Sequence, residues 1–147
     1  MTLKEQLNDA MKAAMKARDN LRLSAVRMVR AAITNREIET RTELDDRAVV
    51  DVISTLAKQR RESIRMYRDG NRDELAEKEE LELAVLLEFL PLQLSPADID
   101  ALVGQVILDL KAQGAKDMGR VMKAVTPLTA GKADGKVVSD AVRRQLA

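Results

Sequence analysis

The chain has 147 residues, with 25 Lys or Arg against 24 Asp or Glu, so a net charge of +1 makes it no polycation. It contains neither cysteine nor histidine, which excludes disulfides, thiolate or imidazole catalysis, and structural zinc. A single Tyr and a single Phe exclude an aromatic base-stacking platform, so any RNA contact would run through phosphates, sugars and shape.

Thr2 and Glu5 form a T-x-x-E capping box that predicts a first helix from Leu3 to about Arg18. Its expected inner stripe is Leu3, Leu7, Met11, Ala14 and Met15. Asp19 or Asn20 opens a second helix to about Glu39, with Leu21, Ala25, Met28, Ala32 and Ile33 as expected core. Arg22, Arg27, Arg30 and Arg36 spread over more than one of its faces, and ion pairing or coverage of apolar surface is their expected duty. Asp45 and Asp46 start a long third helix ending near Gly70, a candidate C-terminal glycine cap. Asn71 is expected to cap a fourth helix reaching Leu90, where Pro91 stops it, with Leu75, Leu83, Leu86, Leu87 and Leu90 on its apolar face. Residues 91–94 read as a hinge. Ser95-Pro96-Ala97-Asp98 then starts a fifth helix, apolar at Ile99, Leu102, Val103, Val106, Ile107 and Leu110, ending at Gly114. A short helix over Met118–Val125 follows, broken by Pro127, and Asp134-Gly135 leads into a last helix. No strand pattern and no internal repeat is found. The expected fold is all-α: a four-helix N-terminal domain over 1–90 and a small three-helix domain over 95–147.

Charge is unevenly distributed. From Lys111 to Ala147 there are eight Lys or Arg against three acids, a net of +5; from Asp73 to Leu90 there are seven acids against Lys78, a net of −6. A nucleic acid would be drawn to the first segment and repelled from the second. Gly114 to Lys136 holds four of the six glycines, Gly114, Gly119, Gly131 and Gly135, with Lys116, Arg120, Lys123, Lys132 and Lys136. Met118, Val121, Met122 and Val125 keep the spacing of a buried helical stripe, while Lys116, Arg120 and Lys123 fall on the opposite side. Such a face suits a phosphate-rich partner, and it is also the ordinary look of a solvated helix. The turn over Ala130–Lys136 opens onto a helix N-terminus, where free amides and the macrodipole favour an anion.

The stretches GAKDMGRVMK (Gly114–Lys123) and AGKADGKVVS (Ala130–Ser139) resemble the signature of the GatB/YqeY family in order, spacing and glycine positions. Upstream, LRLSAVRMVRAAI (Leu21–Ile33) and EFLP (Glu88–Pro91) are similar to the helical domain of free-standing YqeY proteins. The resemblance implies that the tail touches tRNA, on its elbow side, as the tail of the GatB amidotransferase subunit does. Carried over by position, the contacts would come from Lys116, Arg120, Lys123, Lys132 and Lys136, with Arg143 and Arg144 outside the motif core.

Catalysis by this chain alone is not expected. Glutamine hydrolysis needs an activated nucleophile, and the five serines stand in no nucleophile motif. There is no P-loop and no G-x-G-x-x-G, and nothing matches the catalytic part of GatB. Glu43, Asp45 and Asp46 read as helix-start residues, and Glu77, Glu79, Glu80 and Glu82 as a solvated surface, so neither a metal nor a cofactor is expected. The expected function is a non-catalytic tRNA-binding accessory protein. Two rivals remain: a partner in carbon–nitrogen ligase activity with glutamine as amido-N-donor on charged tRNA, by resemblance only, and a protein-interaction module whose N-terminal domain docks another protein. The opening MTLKEQLNDAMK lacks the apolar core of a signal peptide, and no run approaches membrane-spanning length, so the cytoplasm, and no membrane partner, is expected.

Overall fold

The computed structural model describes all 147 residues, Met1–Ala147. The chain is all-helical: α1 (Leu3–Ala17), α2 (Asn20–Thr40), α3 (Asp46–Asp69), α4 (Asp73–Leu87), α5 (Pro96–Leu110), a 3-10 turn (Ala115–Asp117), α6 (Met118–Thr129) and α7 (Gly135–Leu146). It divides into two compact units, Met1–Pro91 and Leu92–Ala147.

In the first unit, the helix starts follow local chemistry. Thr2 and Glu5 cap α1 reciprocally, Asp19 accepts from the Arg22 amide, and Asp45 accepts from the Ala48 amide. Each cap supplies an acceptor to an amide that the first turn leaves without an intrahelical partner. Arg18 in the left-handed region (φ 56°) reverses the chain between α1 and α2. The two helices lie antiparallel, with Lys4 paired to Glu37 and Arg30 against Met11. Glu37 also accepts from the Leu44 amide at 2.8 Å, which ties the α2–α3 loop to both helices. These contacts hold the Glu37 carboxyl below its ordinary range, the Lys4 hydrogen bond first and the Leu44 amide second.

The unit's core is Leu7, Val26, Val29, Ile33, Val49, Ile53, Leu86 and Phe89 with their neighbours. Val26, Val29 and Phe89 were not among the expected core positions. Helix α2 contacts α1, α3 and α4, so its buried face is wider than a single stripe. Phe89 is buried because α4 ends at Leu87, three residues before the expected stop. Residues Glu88, Phe89 and Leu90 continue in tight turns, each amide donating to the carbonyl three residues back. On α4 itself Leu75 is 40% exposed, and Ala76 and Val85 take the inner positions.

The α3–α4 junction also differs from expectation. Gly70 has a negative φ of −86°, and Asn71, at φ 58°, makes the left-handed turn. Arg72 then stands at the N-cap of α4 with no side-chain hydrogen bond. Asparagine tolerates this region better than other residues that carry a Cβ, so the glycine is not required there. Between the two helices, Arg60 sits 3.2 Å from both Glu79 and Glu82, whose side chains are only 17% and 13% exposed. The expectation that all four α4 glutamates are solvated is therefore corrected: Glu79 and Glu82 are shielded by Arg60, and Glu80 pairs with Arg68.

In the second unit, Ser95 and Asp98 form a capping box with Pro96 at the first helical position. Helix α5 ends at Leu110, one turn before Gly114, because Lys111 adopts φ 53° and closes the helix itself. The core joins Ile99, Val103, Val121, Val125, Val138, Val142 and Leu146. On α5, a Cβ at Gly104 would stand 3.3 Å from the side-chain oxygen of the exposed Gln145 on α7. Helix α6 runs through Pro127 to Thr129, where a break was expected. Proline removes one backbone donor. Here it is exposed and only two residues from the helix end. Thr126 and Thr129 hydroxyls donate to the Met122 and Val125 carbonyls, while the carbonyl that the proline leaves without its helical donor belongs to Lys123, on the exposed side of the helix. Of residues 91–94, Gln93 donates to the Gly131 carbonyl and the Leu94 amide to the Lys132 carbonyl, both at 2.8 Å.

Candidate nucleic-acid interface

The candidate residues all belong to the second unit, and the helices sort them into distinct surroundings. Helix α6 buries Val121, Val125 and Thr129 and turns Gly119, Arg120 and Lys123 to solvent. Lys116 lies just before it in the exposed 3-10 turn. Lys132 lies in the α6–α7 turn, its backbone bonded at both ends: the amide to Thr129 and the carbonyl to Leu94. The residue itself is exposed. Lys136, Arg143 and Arg144 ride on α7, opposite Val138, Ala141 and Val142.

Acids interleaved with these cations decide which of them are free. Lys136 and Arg143 converge on one carboxylate, Asp140, at 3.0 and 3.1 Å. Arg144 turns toward α5 and pairs with Asp100, whose backbone carbonyl accepts from Gln145. Arg120 lies 3.6 Å from Asp117. Lys123 and Lys132 have no carboxylate partner, and Lys116 is close enough to Asp117 only to act on it through space. The Asp117 carboxyl is held below its ordinary range first by the Gln113 amide, at 2.7 Å, and then by Arg120 and Lys116. Asp140 is lowered chiefly by its hydrogen bond from Lys136. The Asp140 role was legible in the spacing, since Lys136 and Arg143 stand four and three residues from it on one helix. The Arg144–Asp100 pair spans 44 residues of sequence, which no local spacing announces.

The anion-favouring amides at the start of α7 are partly taken. Asp134 caps that helix and accepts from the Lys136 amide at 3.0 Å. An incoming phosphate there would compete with a carboxylate already in place.

The four motif glycines do different work. Gly114 (φ 78°) and Gly131 (φ 73°) occupy the left-handed region, where a Cβ is strained. Gly119 and Gly135 have no such φ, and a Cβ added at either would meet nothing within 4 Å. No contact within the chain requires glycine at these two exposed positions.

A family model described as Yqey-like protein matches residues 4–146. Among curated proteins, the chain is 38% identical over 109 residues to altered inheritance of mitochondria protein 41, mitochondrial, of Kluyveromyces lactis, covering 71% of this chain and 58% of that protein. The protein of the same name from Eremothecium gossypii is 34% identical over 146 residues, covering 96% of this chain and 79% of the relative. The chain thus spans little more than half the length of the first of these relatives. Their names place them in mitochondria, which overturns the expectation of a cytoplasmic protein. That expectation rested on the lack of an apolar signal core, which marks secretion; mitochondrial import uses amphipathic, arginine-rich segments instead. No helix is long and apolar enough to cross a membrane.

Proposed function

The chain belongs to the YqeY-like family, and on that premise we propose that it is a non-catalytic tRNA-binding accessory protein, a four-helix N-terminal domain followed by a three-helix tail that contacts the phosphate backbone. The observation that carries this reading is the pair Lys123 and Lys132: exposed cations with no carboxylate partner, on α6 and on the turn that follows it. Lys116 and Arg120 extend the same face. Phosphate contacts release condensed counterions, so affinity rests on cations free to replace them. The relatives' printed name speaks of mitochondrial inheritance and mentions no RNA; support for the RNA reading comes from the tail's charges and from its likeness to the GatB tail.

The test is fluorescence anisotropy of labelled tRNA with the intact protein and with a Lys123→Ala, Lys132→Ala, Lys136→Ala variant, at two salt concentrations. Circular dichroism checks that both proteins are folded. Binding that weakens steeply with salt and is lost in the folded variant supports the reading. Binding no tighter than the nonspecific range, a Kd of roughly 10⁻⁴–10⁻⁶ M, or equal binding by the variant, overturns it.

A further inference from the structure

A second basic surface lies in the first unit, where the motif does not reach. Between Lys12 and Arg36, seven Lys or Arg stand against the single acid Asp19, a net of +6. This exceeds the excess on the tail. The two helical hairpins of the unit treat their cations oppositely. In the α3–α4 hairpin, Arg60 and Arg68 are answered by Glu79, Glu82, Glu80 and Asp73. Of the seven cations from Lys12 to Arg36, only Arg22 forms a salt bridge, to Glu88 beyond the end of α4. Lys12, Lys16, Arg27 and Arg30 are exposed and form no salt bridge.

These four belong together. The Lys4–Glu37 and Met11–Arg30 contacts fix the antiparallel register, so Arg30 lies across from Met11 and Arg27 one turn nearer the reversal at Arg18. On α1, Leu7 and Ala14 point inward, which leaves Lys12 and Lys16 on the solvent side of that helix, together with Asp9. Lys12 and Lys16 repel at i, i+4, and Arg27 and Arg30 at i, i+3; Asp9, three residues before Lys12 on α1, relieves part of the first repulsion, while no acid stands three or four residues from Arg27 or Arg30. Among the large apolar side chains from Lys12 to Arg36, only Met15 is strongly exposed, at 51%. Lipid insertion needs a broad apolar face, and this surface lacks one.

We propose that the outer face of the α1–α2 hairpin is a second phosphate-contacting surface for RNA, an inference that rests on the tRNA reading above. The surface reads no bases: it has no aromatic ring and contributes charge alone.

The experiment compares three folded proteins in the same tRNA anisotropy titration: wild type, the tail variant above, and Lys12→Ala with Lys16→Ala and Arg27→Ala. Arg30 is kept because it packs on Met11. The hairpin variant is expected to lower the slope of log affinity against log salt by about 2–3, at 0.7–0.9 for each phosphate no longer neutralised. A hairpin variant with the wild-type slope, beside a tail variant that loses binding, overturns this inference and leaves the tail reading standing. The reverse pattern supports the hairpin and removes the tail. Absence of wild-type binding overturns both. Sedimentation with phosphatidylserine vesicles is the last arm: vesicle binding lost in the hairpin variant, with tRNA binding intact, assigns the surface to a membrane and refutes the proposal.

Discussion

If exposed cations in the tail contact phosphates, those already paired should contribute less than those that are free. The perturbation is a pair of double variants: Lys123→Ala with Lys132→Ala, and Arg143→Ala with Arg144→Ala. Both remove two positive charges from the second unit, so net charge alone predicts equal effects. The structure does not. Lys123 and Lys132 have no carboxylate partner, whereas Arg143 shares Asp140 and Arg144 holds Asp100. Removing Arg143 and Arg144 also releases carboxylate charge, but it takes away no free cation. Two phosphates left without their lysines lower the salt slope by about 1.4–1.8, which over a fourfold rise in salt is a difference of roughly 7- to 12-fold in affinity. The lysine variant should therefore show a flatter salt dependence by this amount, and the arginine variant a slope close to wild type. Anisotropy titrations of labelled tRNA between about 50 and 200 mM salt resolve the difference. Equal flattening by both variants, or flattening by the arginine variant alone, refutes the argument from pairing.

Four further outcomes follow from the structure. Leu7 is fully buried in the first core, so Leu7→Ala should cost about 2–5 kcal/mol in urea unfolding; a loss within error of zero would mean that α1 is not anchored there. Gly131→Ala should destabilise by roughly 1–2 kcal/mol because of its left-handed φ. Gly119→Ala should not destabilise, since its Cβ meets nothing, so weaker tRNA binding by a stable Gly119→Ala protein would mark close backbone approach. Asp117 and Asp140 hold their carboxyls below the ordinary range in the folded chain, so their contribution is full above the unfolded values and fades as pH falls through the lowered ones. Thermal melts of Asp117→Asn between about pH 5 and 2 should show a shallower acid loss than wild type; an unchanged acid limb would show that the Gln113 contact carries no such linkage.

Much of the chain's local structure was written in short spacings. The Thr2–Glu5 capping box, the Ser95-Pro96 helix start, the Asp45 start of α3 and the apolar stripe of α6 depend on neighbours within one turn, so sequence alone placed them. The tail cations facing away from that stripe were legible for the same reason. What needed more than one element was not. The inward face of α2 includes Val26 and Val29 because three other helices pack around it, and no single-helix periodicity contains that information. Pro127 stays inside α6 because it falls on the exposed side near the end, where the one carbonyl left without a helical donor, that of the exposed Lys123, faces water. Asn71 makes the turn expected of Gly70 because the chain must reverse one residue later to bring α4 back along α3.

The candidate site divides in the same way. Sequence identified which residues carry positive charge; tertiary structure decided which of those charges are already paired. Arg144 and Asp100, or Arg22 and Glu88, meet only after helices far apart in sequence have packed. The Lys12–Arg30 surface was hidden for a related reason. Lys12 and Lys16 stand on α1 and Arg27 and Arg30 on α2, and the two pairs join one hairpin only when α1 lies antiparallel to α2 in the register set by Lys4 and Glu37. Coulomb interactions depend on distance in space, and between separate helices that distance is set by packing.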